Sequence, residues 1–263
     1  MSKVLAIANQ KGGVGKTTTA INLAASLAAT KKAVLLIDLD PQGNTTMGSG
    51  VSKHQLELSS YDVLMGECEI DEAIHYGTDA GYDLLAANAD LTGAEVGLLQ
   101  LTNRERRLKI AIDKVRSRYD YILMDCPPSL SMLTINGLVA ADGVIITMQC
   151  EYYALEGLSD LMNTIGRIQQ ELNKDLEIEG ILRTMYDPRN SLTKDVSAQL
   201  LEHFGDTVYR TCIPRNVRLA EAPSHGLPVI KYDKSSRGAL AYLALAGEML
   251  RRNAKKKTIR ENV

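Results

Sequence analysis

The segment from Asn9 to Thr19, NQKGGVGKTTT, combines glycines, lysines and hydroxyl side chains in an order that suits phosphate binding. Glycines let the backbone take up unusual φ angles and approach a ligand closely. The free N–H groups at the start of a following helix form an anion site. Lys16 would neutralise the β- and γ-phosphates of a nucleotide, and the Thr17 hydroxyl would reach Mg²⁺. The segment therefore predicts a nucleoside-triphosphate site.

This segment departs from the general phosphate-loop pattern at one position, because Gln10 stands where the pattern has glycine, and a second lysine, Lys11, follows it. Two other interpretations stay open. One is a glycine-rich turn that binds nothing. The other is a dinucleotide fold, since part of a GxGxxG pattern is present and Asp38 lies near where a ribose-binding acid is expected. Against the second, Thr18 replaces the third glycine.

Two acids, Asp38 and Asp40, end the second predicted strand. Residues two apart in a strand face the same side, so we expect both carboxylates to point at the γ-phosphate. A carboxylate there can hold a metal-bound water or orient the attacking water. The alternative for each acid is a capping role in the turn that contains Pro41 and Gly43.

A third acid, Asp125, follows four mostly apolar residues at the end of a later predicted strand. This is the Walker B arrangement, in which the acid holds Mg²⁺, often through water. The alternative is an acid that caps a helix. Together with the glycine-rich segment, the pattern predicts a metal site made by Thr17, Asp40 and Asp125.

Strands and helices alternate along the chain, and they must bring these residues together. The predicted strands are continuously apolar, as expected for strands covered on both faces. The alternation predicts an α/β fold with a doubly wound, mostly parallel sheet flanked by helices, which binds ligands at the carboxyl ends of its strands. The predicted strands are 3–8, 33–39, 83–87, 119–124, 143–148 and 179–185, and the predicted helices are 16–29, 104–116, 131–141, 155–172, 192–204 and 237–251.

The chain as a whole predicts a single domain over residues 1–252, followed by a basic flexible tail at 253–263. The N-terminal apolar run Val4–Ala8 is too short for a signal peptide or a membrane span. The four cysteines have no CxxC spacing, which fits a reducing cytosol. We therefore expect a cytoplasmic protein. Tryptophan is absent and phenylalanine occurs once, which argues against single-strand binding by base stacking.

Four motifs together, KGGVGKTTT, DLDPQGN, DCPPSL and IPRNVRLAEAPSHG, resemble the ParA/MinD group of deviant Walker ATPases, and the last resembles the chromosomal Soj type of ParA protein. They extend across nearly the whole chain. The resemblance implies a P-loop fold of the deviant Walker A type and an ATPase that uses ATP and Mg²⁺. It also implies that hydrolysis is weak without a partner, and that two ATP-loaded copies form a nucleotide-sandwich homodimer.

The resemblance also implies roles for individual residues. Lys11 would be the deviant lysine that reaches the phosphates of the partner copy, whereas Lys16 would act within its own copy. Asp40 would position the attacking water, and Asp125 would hold the metal through water. The implied catalytic residues are Lys11, Lys16 and Asp40, and the implied ATP-binding residues are Lys11, Gly12, Gly13, Val14, Gly15, Lys16, Thr17, Thr18, Met185, Pro214, Asn216 and Arg218.

Double-stranded DNA is the polymer that ParA-type relatives bind without sequence preference once they have dimerised. Such binding needs cations aimed at phosphates. Residues 180–263 carry fifteen lysines and arginines against eight acids, in a chain with a net charge of −2. The resemblance favours Arg189 and Arg218 as DNA contacts. It further implies nucleoid association and a DNA-bound, ParB-type partner that stimulates hydrolysis.

Other members of the same group act elsewhere, and the sequence weighs these alternatives unequally. The C-terminal residues 251–263 are basic and have three apolar side chains, so they cannot form the apolar face of a membrane-binding helix. This argues against a membrane-linked division-site regulator. An iron–sulfur carrier of the same superfamily would need cluster-ligating cysteines. A positioning ATPase for another cargo uses the same chemistry and stays open.

Overall fold

The computed structural model describes the backbone of residues 2–261 and the side chains of residues 2–256. In this part of the chain eight strands form one sheet. The strands are β1 (Lys3–Ala8), β2 (Val34–Asp38), β3 (Ile74–His75), β4 (Asp83–Leu85), β5 (Tyr121–Asp125), β6 (Gly143–Gln149), β7 (Glu177–Tyr186) and β8 (Val208–Pro214).

The sheet order is β3-β4-β2-β5-β1-β6-β7-β8, and only the pairing of β3 with β4 is antiparallel. Strand β1 lies in the middle, hydrogen-bonded to β5 on one side and β6 on the other. The order therefore reverses beside β1, and a crevice opens at its carboxyl end.

Helices cover both faces of the sheet. Along β1 the side chains alternate between two cores: Val4 and Ala6 lie in one, and Leu5 and Ile7 lie in the other. This two-sided burial explains the continuous apolar run of the strand. The helices are α1 (Lys16–Ala29), α2 (Asn44–Gly48), α3 (Ser60–Met65), α4 (Ile70–Ala73), α5 (Leu91–Gly97), α6 (Arg107–Val115), α7 (Met132–Ala140), α8 (Ala154–Glu171), α9 (Ser191–Phe204), α10 (Val217–Glu221), α11 (Val229–Tyr232) and α12 (Arg237–Glu261).

The predicted α/β class and parallel sheet are confirmed, and the bounds of β1 and α1 match the prediction to the residue. The two strands that the prediction missed, β3 and β8, are the two edges of the sheet. Strand β3 has only two residues, and β8 carries exposed or half-buried side chains at Arg210, Thr211 and Cys212. Neither strand has the continuous apolar run by which the others were recognised.

The last helix, α12, continues to Glu261, ten residues beyond its predicted end. The boundary predicted at residue 252 therefore lies inside a helix. Asn253 is joined to the body of the protein, since it accepts a hydrogen bond from Lys3 and donates one to Tyr121. Residues 262 and 263 of the predicted tail lie outside the described residues. None of the helices in the described part of the chain has the length and apolar character needed to cross a bilayer.

Candidate nucleotide-binding site

The glycine-rich segment forms a tight loop between β1 and α1, at the point where the strand order reverses. Gly15 adopts a φ of 83°, in the left-handed region that favours glycine, and α1 begins at the next residue. The first turn of α1 contains no acid, so its free N–H groups remain suited to an anion. The loop borders a cavity of about 440 Å³, within the usual range of small-molecule sites.

Lys16 is the buried cation of this cavity, with only 7% of its surface exposed. Its Nζ donates to the carbonyl oxygen of Lys11, 3.1 Å away. Burial lowers the pKa of Lys16, while the nearby carboxylates of Asp125 and Asp40 raise it. The Lys16 ammonium group therefore lies at the N-terminus of α1, between the Lys11 carbonyl and the carboxylates of Asp125 and Asp40.

Asp125 ends β5 and is fully buried beside the loop. Its Oδ2 accepts hydrogen bonds from two hydroxyls, Thr17 Oγ1 and Thr45 Oγ1, each at 2.7 Å. Its Oδ1 has no hydrogen-bond partner among the described residues. Burial raises the pKa of Asp125 to about 6, and the two hydroxyl bonds oppose that rise.

The two acids after β2 do not point the same way, so that prediction is wrong. Asp38 is buried, and its Oδ2 accepts from the backbone N–H and the hydroxyl of Thr46, at 2.9 and 2.7 Å. Its Oδ1 accepts from the N–H of Asp40. Asp38 therefore has the capping role that was the alternative. The strand ends at Asp38, so strand alternation does not reach Asp40, which lines the cavity.

The far end of the cavity is walled by the carboxyl ends of β7 and β8. Met185 has a φ of 48°, an uncommon conformation for a residue other than glycine, and such strain concentrates at ligand sites. The side-chain Oδ1 of Asn216 is buried and has no hydrogen-bond partner among the described residues. Asn216 itself is one of the lining residues. Beside Met185, Thr184 also lines the cavity, and the lining residues that had no role predicted from the sequence are Asn44, Pro128, Ile213, Arg215, Leu219, Ala220 and Tyr242.

Most of the predicted ATP-binding residues line this one cavity. They are Gly12, Gly13, Gly15, Lys16, Thr17, Thr18, Met185, Pro214 and Asn216. Val14 is buried beside it, and its carbonyl accepts from the Thr184 hydroxyl at 2.9 Å. Tyr242, which also hydrogen-bonds Thr19 in α1, carried no signal in the sequence because its partner lies 223 residues away.

Besides Val14, two predicted ATP-binding residues do not line the cavity, Lys11 and Arg218. Lys11 lies on its rim, where its Nζ pairs with Glu151 at 2.8 Å, and both side chains are about half exposed. Arg218 pairs with Glu221 at 2.8 Å and with Asp233 at 3.3 Å. Local acids therefore hold both cations.

Arg189, the other predicted DNA contact, follows the end of β7. Its side chain is 88% exposed, and its Nε and Nη2 donate to the two carboxylate oxygens of Asp187 at 3.0 and 2.8 Å. This pair lowers the pKa of Asp187 to about 2. By contrast, Arg183 is buried, with its guanidinium bonded to Ser197 and to the Tyr209 carbonyl, so it adds nothing to a surface patch.

The donor set fits Mg²⁺ together with a nucleotide. Hydroxyl and carboxylate oxygens, which Mg²⁺ prefers, converge beside the phosphate loop at Thr17, Asp40 and Asp125. The partnerless oxygen of Asp125 is free to accept from a metal-bound water. Thr17 and Asp125 would hold the ion, and Lys16 would meet the phosphates.

Comparisons with known proteins agree with this geometry. Residues 2–178 match the family model of an AAA domain. The chain is 53% identical to the sporulation initiation inhibitor protein Soj of Bacillus subtilis, over 95% of this chain and 98% of that one. It is 48% identical to the chromosome-partitioning ATPase Soj of Treponema pallidum, over 97% of this chain and 100% of that one.

Among solved structures, one close match is a protein of Mycobacterium smegmatis described as cobyrinic acid a,c-diamide synthase with bound ADP and magnesium. It is 41% identical, covers 95% of each chain and superposes with a TM-score of 0.84.

Proposed function

Since the chain belongs to the ParA/Soj family of partitioning ATPases, we propose that it is a switch that binds DNA as an ATP-loaded dimer and releases it on hydrolysis. The chain is an ATP hydrolase that uses ATP and Mg²⁺. The observation that carries the proposal is that Lys16, Thr17 and Asp40 line one cavity, with the buried Asp125 hydrogen-bonded to Thr17 directly behind it.

Within that cavity each polar group has a distinct task. Lys16 and the N–H groups of the loop meet the phosphate charge. Bound Mg²⁺ supplies further neutralisation of that charge. Asp40 is aligned by its own turn, since its Oδ1 accepts from the Gln42 N–H at 2.9 Å, and it orients the water that attacks the γ-phosphate. Met185, Pro214 and Asn216 enclose the base and ribose.

Dimerisation depends on Lys11. In the single chain its Nζ pairs with Glu151 on the cavity rim. Exposed pairs of this kind are worth only about 0–1 kcal/mol, so little is lost when the lysine moves away. The phosphates of an ATP in the partner copy offer Lys11 a much higher density of negative charge. ATP therefore favours the dimer, and loss of the γ-phosphate weakens it, as an arginine finger supplied in trans depends on its phosphate.

Dimerisation doubles the number of cations that each particle presents to DNA. Arg189 and Arg218 contact phosphates, and each dimer presents two copies of both. Affinity for DNA falls with salt by a slope near −0.9 per phosphate contact, so a dimer has twice the slope of a monomer. Binding therefore appears with ATP and needs no base readout. A DNA-bound, ParB-type partner stimulates hydrolysis and so sets where the dimer is released.

Sedimentation velocity with a labelled duplex tests this proposal. Asp40→Ala keeps ATP bound long enough for the run, and Lys11→Ala in the same background is its matched control. We expect Asp40→Ala with ATP and Mg²⁺ to sediment as a dimer together with the duplex, and with ADP as a monomer without it. The double variant should stay monomeric. A monomer in every nucleotide state, or equal DNA binding in all of them, would reject the proposal.

A further inference from the structure

The short helix α2 follows Asp40 directly, and a glycine fixes its position. Gly43 precedes the helix with a φ of 61°, and a side chain there would come within 2.7 Å of the Ala87 carbonyl oxygen. Only glycine suits this turn. Helix α2 meets the ends of β2 and β5 through Thr46 and Thr45, which are both completely buried.

The two buried threonines hold two different acids. Thr46 binds Asp38, as described above, whereas the Thr45 hydroxyl donates to Oδ2 of Asp125 at 2.7 Å. Thr17 donates to that same oxygen. Asp125 thus has two hydroxyl donors on one oxygen and no partner among the described residues on the other.

These two donors differ in what they can do when a metal is present. Thr17 follows the phosphate-loop lysine, and its hydroxyl oxygen would bind Mg²⁺ through a lone pair while its O–H still donates to Asp125. Thr45 lies on α2, is fully buried and does not line the cavity, so its hydroxyl is not a candidate metal ligand. A buried carboxylate that loses its donors pays a large desolvation cost and reorients.

We propose that Thr45 is a positioning residue that, together with Thr17, fixes the orientation of Asp125 at the Mg²⁺ site while taking no part in binding the ion itself. The inference rests on the proposed roles of Thr17 and Asp125 at the metal. The turn that carries Asp40 leads directly into α2, since Gly43 N–H donates to the Asp40 carbonyl at 2.8 Å. Because Thr45 lies on α2, its hydroxyl bond to Asp125 joins the Asp40 segment to the end of β5. One hydroxyl thereby links the acid near the metal to the segment that carries the acid near the water.

The test is the Mg²⁺ dependence of nucleotide binding, measured with a fluorescent ADP analogue and no DNA. Thr45→Val removes the hydroxyl and keeps the shape, and Thr45→Ser restores it. Loss of a residue that orients a metal ligand costs about 10–100-fold in metal affinity. We expect Thr45→Val to need at least about tenfold more Mg²⁺ for half-saturation, with ADP binding in EDTA unchanged. Thr45→Ser should behave as the wild type.

Thr147→Val is the matched control. Thr147 is equally buried, but its hydroxyl has no partner among the described residues, so its loss should leave the Mg²⁺ requirement unchanged. If Thr45→Val does not fold, Thr45→Cys against Thr45→Ser makes the same comparison between a weak and a strong donor of similar size. The proposal would be overturned if Thr45→Val had the Mg²⁺ requirement of the wild type. Where Thr45→Val does not fold, the same result in Thr45→Cys would overturn it. An increased Mg²⁺ requirement in Thr45→Ser would also overturn it. Because DNA is absent, failure of the proposed DNA switch would leave this result unaffected.

Discussion

Asp38 and Asp125 are register partners on the neighbouring parallel strands β2 and β5, and both carboxyl groups are buried. Burial and the nearby charge of Asp125 raise the pKa of Asp38 to about 7. A single helix, α2, supplies a hydroxyl to each acid. Ionising both carboxylates costs free energy because the two negative charges repel each other, and a nearby cation would offset that repulsion. This pair of acids near the phosphate loop therefore favours the binding of cations there.

The pH dependence of stability should reveal Asp38. Its carboxyl has a pKa of about 7 in the folded protein and 3.8 as a free side chain, so the folded state binds more protons between these values. Stability therefore falls as pH rises from about 4 to 7. Asp38→Asn removes this slope. We expect the melting temperature of Asp38→Asn in EDTA to rise relative to that of the wild type as the pH increases from 5 to 8. The shift should be about 2–4 °C for each kcal/mol of difference in the free energy of unfolding. A constant difference across that range would contradict the assignment.

Lys16→Ala should abolish nucleotide binding. It removes a buried cation that faces the phosphates, and loss of one partner from such a contact costs about 2–5 kcal/mol. Isothermal titration with ATP and Mg²⁺ measures the loss directly. Lys32→Ala is the control, since that lysine pairs with Asp120 at 3.5 Å on the surface. Retained ATP-dependent dimers in Lys16→Ala would remove the lysine from the phosphate site.

Asp40→Ala should bind ATP, dimerise and persist in that state. A positioned carboxylate contributes about 10²–10⁴-fold to such reactions, so phosphate release should fall by at least about 100-fold. The fold should be unaffected, because Asp40 lines an open cavity rather than the core. Asp79→Ala, at an exposed acid in a surface turn, serves as the control. Unchanged phosphate release would remove Asp40 from catalysis.

Arg189→Glu should spare the ATP-dependent dimer and lose DNA. The variant replaces one cation by an acid in each of the two protomers. The slope of log affinity against log salt concentration should therefore become less steep by about two for the dimer. Lys174→Glu makes the same charge change before β7, at the opposite end of that strand, and should bind DNA normally. If Arg189→Glu keeps wild-type affinity and slope, the DNA contact lies on another part of the surface.

The strands and the phosphate loop were predictable because their signals are local. A continuous apolar run followed by GKT defines β1 and the start of α1 without reference to distant residues. The contact between Thr45 and Asp125 was not predictable, for the opposite reason. Thr45 meets Asp125 across 80 positions of sequence, and α2 is too short to show helical periodicity.

The roles of the two acids after β2 depended on where the strand ends. The sequence does not mark whether alternation continues to Asp40, so Asp38 and Asp40 could not be separated by pattern alone. In the structure β2 ends at Asp38, whose carboxylate accepts a hydrogen bond from the Thr46 N–H, and this separates the roles of the two acids. Likewise, the positive φ of Met185 could not be predicted, because methionine has no preference for that conformation.

The proposed ATP-dependent DNA switch is tested by the affinity for an arbitrary DNA duplex without nucleotide, with ADP and with ATP, each with Mg²⁺ at near-physiological salt. Fluorescence anisotropy with two unrelated duplexes also tests sequence preference, and a salt series gives the slope. We expect binding with ATP alone, equal for both duplexes and steeply weakened by salt. Absence of DNA binding in all three states, with ATP hydrolysis intact, would contradict it.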